Sequence, residues 1–418
     1  MTQKTVLFVG SYSNIPIGYS KISHYLTNEL AEFTNLWHFG FSNFPEVKKV
    51  HRYISNKVHL IDVLELEKQK DENKNVDTFG TNVFAKVLLD IKPDIIFFYN
   101  DVIVICRLLN VIINERAKGT VFNDFKVITY LDLVYDFERL SYVKHILINS
   151  HKVLVFSDHW KQNIIKMFPS LGYDENNGID ILYHAYNENV IFNRSKTFCR
   201  QRFNLPQDSF IILNANKNVY RKALDITIES FLIFLKSMDM NKTIKLLLFC
   251  ELTSSIGYDI MALIEIYCAK LSIDYETIIG NNILHIQSTS LSDDDMNILY
   301  NACDVGINTC IGEGFGMCNV EHGILGKPQI VSDVGALSDI FNETETLVPV
   351  SATFQVSNIM DEHNGEAQIC SSKDFASKLS QVYVNYSYYC DIFDQFSRQS
   401  KIKYSLSNII NKVKNIID

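Results

Sequence analysis

At 418 residues the chain is longer than one hydrophobic core organises, and two domains of about 200 residues are expected. With 47% hydrophobic and 21% charged residues it is globular in composition, and a formal net charge of -9 excludes a dedicated nucleic-acid binder, which needs a basic stripe to displace counterions. Nine scattered cysteines, none in C-x-x-C spacing, fit a reducing compartment in which Cys behaves as a small hydrophobe.

The chain goes directly into Val6, Leu7, Phe8 and Val9 without a signal-peptide pattern, so a cytoplasmic location is expected. That apolar run is a first strand, residues 11–19 a loop carrying Gly18, and residues 20–33 a first helix, the opening of a doubly wound sheet. Apolar runs at 58–61, 95–99, 127–130 and 153–156 read as parallel strands buried on both faces. The most apolar region, 94–113, is interrupted by Asn100, Asp101, Arg107 and Asn110, so no transmembrane segment is expected, while peripheral membrane contact stays open. Ligands of such sheets bind beyond the carboxyl ends of strands. Asp101 and Asp132 each follow a strand, and each is either a helix cap or a group in a site. His184, which follows the short run Ile181 and Leu182, is either a structural histidine or a ligand contact.

Residues 191–207 form a basic cluster without a strand pattern and are expected to join a first domain, 1–190, to a second, 191–400. The second opens with a strand at 210–214, then Lys217, Arg221 and Lys222, then an amphipathic helix through Phe234. Cations at the start of a helix oppose its dipole, so they make sense when a diphosphate supplies the compensating charge; a solvated basic turn is the alternative. Strands follow at 244–249 and 283–286, with a helix at 259–271 between them. Ser292 with Asp293, Asp294 and Asp295 reads as a helix cap followed by first-turn acids, in preference to an Asp-x-Asp metal site. Residues 358–366 read as a polar loop, and 375–384, 385–396 and 402–417 as helices, with 401–418 expected to cross back to the first domain.

One stretch, 312–328, combines turn chemistry, charge spacing and helix punctuation. Gly312, Gly314 and Gly316 let backbone approach a ligand or take positive φ, and Gly326 with Pro328 is a helix stop, so a helix is expected from Met317 to about Leu325. Its first turn exposes N–H groups at the positive end of the dipole, which attracts an anion such as phosphate. Glu313 precedes that turn and Glu321 lies within the helix, and a carboxylate accepts hydroxyls of a ribose or a sugar well.

The spacing from Glu313 to Glu321, with Gly314, Phe315 and Gly316 after the first acid, resembles the E-x7-E signature of glycosyltransferase family 4, and the flanks 299–308 and 326–332 are also similar. The resemblance is strong over 210–340, faint over the first half, and closest to virus-encoded members. It implies an α/β fold of two Rossmann-like doubly wound domains facing across a cleft. It further implies a donor site in which Glu321 takes the ribose, and Lys217 and Lys222 with the amides of Met317, Cys318 and Asn319 take the diphosphate. Glu313 with the backbone of Gly314, Phe315 and Gly316 would take the sugar, and the loop 288–291, ending at Leu291, the base. Gly18 matches the family's flexible-loop glycine, with Tyr19 where a second glycine is usual. Leu131 stands where the family has His before Asp132, Ala185 where it has Gly after His184, Lys217 where it has Arg, and Ala223 where it has Gly.

On this resemblance Glu313, Lys222 and Asp132 carry catalysis, with Asp101 and Asp132 on the acceptor side and Gly18 and His184 reaching the donor from the first domain. The implied reaction is retaining, metal-independent transfer of a hexose from a sugar nucleotide, GDP-mannose first, to a glycan, lipid-linked or protein-linked acceptor, with no cofactor beyond the sugar-nucleotide co-substrate. A homodimer stays open. Two alternatives remain: a nucleotide-sugar epimerase on the same plan, and a non-catalytic sugar-nucleotide-binding module.

Overall fold

The computed structural model describes residues 3–70, 76–122, 124–173, 178–288, 291–357 and 363–418. The chain divides into two compact units, Met1–Ala185 with Asp361–Gly365 and Leu406–Asp418, and Tyr186–Met360 with Glu366–Ser405.

The first unit is built on a seven-stranded sheet in the order β3-β2-β1-β4-β5-β6-β7, parallel at every pairing. Its strands are β1 (Thr5–Ser11), β2 (Asn35–Phe41), β3 (Val58–Asp62), β4 (Ile95–Asp101), β5 (Lys126–Asp132), β6 (Lys152–Val155) and β7 (Ile179–Ile181). The central strands β1 and β4 are buried almost throughout, which is why they read as unbroken apolar runs. Strand order reverses between β1 and β4, and the loops beyond their carboxyl ends form the crevice that ligands of such sheets use. The helix Gly18–Leu30 begins there, and Asp101 and Asp132 sit side by side in the β4–β5 register. The helix Leu406–Ile417 packs on this unit, where Lys4 Nζ donates to the Ile417 carbonyl at 2.7 Å.

The second unit has a six-stranded parallel sheet in the order β10-β9-β8-β11-β12-β13. These strands are β8 (Phe210–Asn214), β9 (Ile244–Phe249), β10 (Ile283–Ile286), β11 (Val305–Asn308), β12 (Gln329–Ser332) and β13 (Leu347–Val348). The helix Leu224–Ser237 buries Leu224, Ile228, Phe231 and Leu235 in the core of this unit. The reversal falls between β8 and β11, and the loops leaving them are stitched together. Asn214 Nδ2 donates to Thr227 Oγ1 at 2.8 Å, Thr227 and Thr309 hydroxyls meet at 2.6 Å, Thr309 Oγ1 donates to the Ala223 carbonyl at 2.8 Å, and Ile311 N donates to the Arg221 carbonyl at 2.9 Å.

Two sequence readings need correction. The basic stretch expected as a connection contains the helix Lys196–Arg202. Arg200 is 1% exposed and bonded to Asp304 Oδ2 at 2.8 Å and to the Ala302 carbonyl at 3.0 Å, while Lys196 and Arg194 reach Asp304 and Asp294. The cations of this cluster face Asp294, at the start of the helix Asp293–Ala302, and Asp304, just before β11. Of the polar stretch 358–366, residues 358–362 lie outside those described, and Gly365 and Glu366 begin β15 (Gly365–Cys370), which pairs with β14 (Val350–Val356). Ser292 caps the helix Asp293–Ala302 by accepting from Asp295 N at 3.0 Å.

Candidate active site

In the second unit the loop after β8 makes one 3-10 turn, Tyr220–Lys222, and then passes Ala223 at φ 44°, ψ 51° before the helix Leu224–Ser237. Left-handed backbone disfavours a Cβ, which accounts physically for glycine being the comfortable residue at this position. The turn throws Lys222 and Arg221 toward the loop after β11. Lys222 Nζ is ion-paired with Glu313 Oε2, Arg221 NH1 lies 3.9 Å from Glu313 Oε1, and the same guanidinium donates to the Gly312 carbonyl at 2.6 Å. Glu313 is 8% exposed. Burial alone would raise its pKa, but the Lys222 and Arg221 cations and hydrogen bonds from Lys222 and Asn308 outweigh it and hold the carboxyl at about 2. It is therefore a buried, ionised acceptor at neutral pH.

Gly316 ends this loop at φ 77°, a backbone that favours glycine, and a Cβ there would meet Leu337 Cδ2 at 2.4 Å, so that side chain would have to shift. The helix Met317–Ile324 starts immediately after it. The first-turn amides of Met317 and Cys318 have no intrahelical acceptor, whereas Asn319 N donates back to the Gly316 carbonyl at 3.0 Å. Of the three amides expected to hold phosphate, that of Asn319 is already engaged. Phe315 is 4% exposed and packs edge-on against Tyr404, with ring centroids 5.7 Å apart, so its side chain anchors the loop. Glu321 is 4% exposed and hydrogen-bonded to the Tyr300 hydroxyl, and Tyr300 stacks on His322.

The structure thus gathers Lys222, Glu313, Gly316, Met317, Cys318 and Asn319 on the loops beyond β8 and β11, adding Arg221 and Asn308. Lys217 is exposed, with its carbonyl accepting from Val219 N at 2.9 Å. Asn218 beside it is buried and pins the neighbouring loop through the Glu251 and Tyr258 carbonyls at 2.9 and 2.8 Å. Leu291 is half-buried, and residues 289 and 290 of the expected base loop lie outside those described.

In the first unit, Asp101 caps the helix Val102–Ala117, accepting from Val104 N at 3.1 Å. Asp132 accepts from the Tyr19 hydroxyl. Gly18 is exposed at the first position of its helix. His184 is 7% exposed within 4.1 Å of the Phe156 ring centroid; Tyr130 Oη lies 2.7 Å from its Nδ1 and Tyr99 Oη 3.3 Å from its Nε2. Burial lowers its pKa to about 3, so the ring is neutral, and both nitrogens face protein hydroxyls. Sequence reasoning did not anticipate Tyr19, Tyr99 or Tyr130; the one signal was Tyr19 directly after Gly18. Among the described residues no group of three or more His, Cys, Asp or Glu is placed to hold a metal ion, and no helix is long and apolar enough to cross a membrane. The nine cysteines are free thiols.

Residues 269–361 match the family model described as glycosyl transferases group 1. No curated protein matches the sequence. Among solved structures, sucrose-phosphate synthase from Thermosynechococcus elongatus superposes with a TM-score of 0.69 at 14% identity, over 100% of this chain and 98% of that one. A glycosyltransferase from Rickettsia africae gives 0.65 at 16% identity over 100% and 98%, and Anabaena HepE in complex with UDP-glucose gives 0.64 at 12% over 99% of each chain. The chain therefore has the α/β fold of two parallel-sheet, Rossmann-like domains found in these glycosyltransferase structures, and its segment 269–361, which holds Glu313 and Glu321, matches the group 1 model.

Proposed function

We propose that the protein is a retaining glycosyltransferase that moves a hexose from a sugar nucleotide to a glycan, lipid-linked or protein-linked acceptor, as the likeness to glycosyltransferase family 4 implies. The observation that carries this reading is the convergence of Lys222, Arg221 and the buried Glu313 beside the start of the helix Met317–Ile324. An ammonium has three donors, so Lys222 can keep Glu313 and still meet a phosphate oxygen. In the reaction the bond between the anomeric carbon and the diphosphate breaks as the acceptor oxygen bonds that carbon, and the diphosphate leaves with the bonding pair and takes up the proton that the acceptor hydroxyl gives up. Negative charge grows on the leaving group, where fixed cations and amides help most. Glu313, ionised and buried, accepts hydroxyls of the sugar, and Glu321 accepts those of the ribose.

GDP-mannose is the first donor in this reading. The Anabaena HepE complex with UDP-glucose makes UDP-glucose the second donor to try. The test is release of nucleoside diphosphate from each donor, without added metal, in the presence of acceptor extracts. Transfer with retention of anomeric configuration supports the reading. Epimerised donor without transfer would favour the epimerase, and binding without turnover the non-catalytic module.

A further inference from the structure

Behind Glu313 runs a line of buried side-chain amides to which the proposed function gives no role. Asn308 Nδ2 lies 3.4 Å from Glu313 Oε2 and donates to Asn319 Oδ1 at 2.8 Å. Asn319 Nδ2 donates to Gln329 Oε1 at 3.0 Å, and Gln329 Nε2 donates to the carbonyls of Lys327 and Pro328, each at 3.0 Å. Asn308 and Gln329 are 0% exposed and Asn319 6%. The two backbone carbonyls at the far end can only accept, so they fix which face of the Gln329 amide turns to Asn319, and each amide then fixes the next. At the near end Asn308 Oδ1 accepts from Cys310 N at 3.2 Å, which sets the same orientation independently. Gly306 makes room for the chain: a Cβ there would meet Gln329 Oε1 at 2.0 Å.

We infer that Asn308, Asn319 and Gln329 form a one-directional relay of positioning residues that presents an N–H to Glu313 Oε2 and so orients its carboxylate toward donor sugar hydroxyls. This rests on the proposed function for the identity of the ligand, while the relay itself is a property of the protein alone. A flipped amide anywhere along it would set carbonyl against carbonyl or N–H against N–H in a dry interior.

The test pairs Gln329→Met with Gln329→Glu. Methionine keeps the volume and removes the acceptor for Asn319. Glutamic acid facing two carbonyls takes a proton, donates to one of them and still accepts from Asn319. The relay predicts a kcat for donor turnover lower by about tenfold or more in Gln329→Met with KM for the donor within about threefold, and kcat largely rescued in Gln329→Glu. Wild-type kcat in Gln329→Met, or equal loss in both variants, would overturn it. Without any donor, hydrogen exchange of the Asn308 and Asn319 side-chain amides reads the relay directly: protected in the wild type and Gln329→Glu, exposed in Gln329→Met. Protection retained in Gln329→Met sinks the relay whatever the enzyme does, whereas a wild type with these amides protected and no turnover sinks only the functional reading. Should Gln329→Met fail to fold, Asn308→Asp sets a second carboxyl against Glu313, and the acid limb of donor affinity should move up by about one pH unit or more; an unmoved limb contradicts the relay.

Discussion

Replacing Lys222 by methionine removes the principal cation facing Glu313 and leaves a buried carboxylate with the more distant Arg221 and Asn308. Glu313 is held at about 2 in the folded protein against 4.5 for a free glutamate. At about 1.36 kcal/mol per tenfold change in proton affinity, that difference is worth about 3 kcal/mol at neutral pH. Breaking a buried pair commonly costs about 3–5 kcal/mol. The depressed folded pKa fixes the sign: the stabilisation is present above about 4.5 and is lost as pH falls through about 2. Urea unfolding at pH 7, followed by a probe in the second unit, should show Lys222→Met less stable by about 3 kcal/mol. A cycle with Glu313→Gln and the double variant should return a coupling above about 1 kcal/mol. The same substitution should lower donor turnover by about ten- to a hundredfold, the worth of one charge-assisted hydrogen bond to the leaving group. Coupling near zero together with unchanged turnover would refute the assignment of Lys222.

Gly316→Ala meets both a positive φ and the Leu337 side chain, and should cost about 1–3 kcal/mol in thermal or urea unfolding with loss of donor binding. Ala223→Gly relieves left-handed strain at φ 44° and should raise stability by up to about 1 kcal/mol in urea titrations; a loss would show that the Ala223 methyl matters more than its backbone. His184 is neutral in the fold with a pKa of about 3 against 6.5, so its contribution is present above 6.5 and declines as pH falls toward 3. His184→Asn should therefore flatten the acid limb of stability by about 2 kcal/mol between pH 6.5 and 5, measured by denaturant midpoints; parallel curves would contradict a buried neutral ring.

Much of the fold could be read from the chain because central parallel strands are buried on both faces, and β1, β4, β8, β9 and β12 stand out as apolar runs or nearly so. Strand β2 did not, because His38 and Gly40 interrupt it. In the fold His38 is 0% exposed, edge-on to Phe8, and burial pushes its pKa down to about 4, so it behaves as an aromatic core residue. The helix Lys196–Arg202 passed for a connection because the acids that answer its cations, Asp295 and Asp304, lie about a hundred residues further on. In the site, Glu313, Gly316 and the helix from Met317 were legible through local turn and capping chemistry. Asn308 and Gln329 were not, since neither is unusual in its own strand and their meaning arises only when two strands and a helix bring the amides together. Lys217, which the spacing also singles out, is exposed in the loop after β8.

The central claim, that Lys222 and the start of the helix Met317–Ile324 hold a sugar nucleotide's diphosphate, is tested most directly by calorimetric titration of the wild type and Lys222→Met with GDP-mannose and UDP-glucose in the absence of added metal. One donor is expected to bind the wild type, with affinity reduced at least about tenfold in the variant. Equal affinity in the two proteins would contradict the claim.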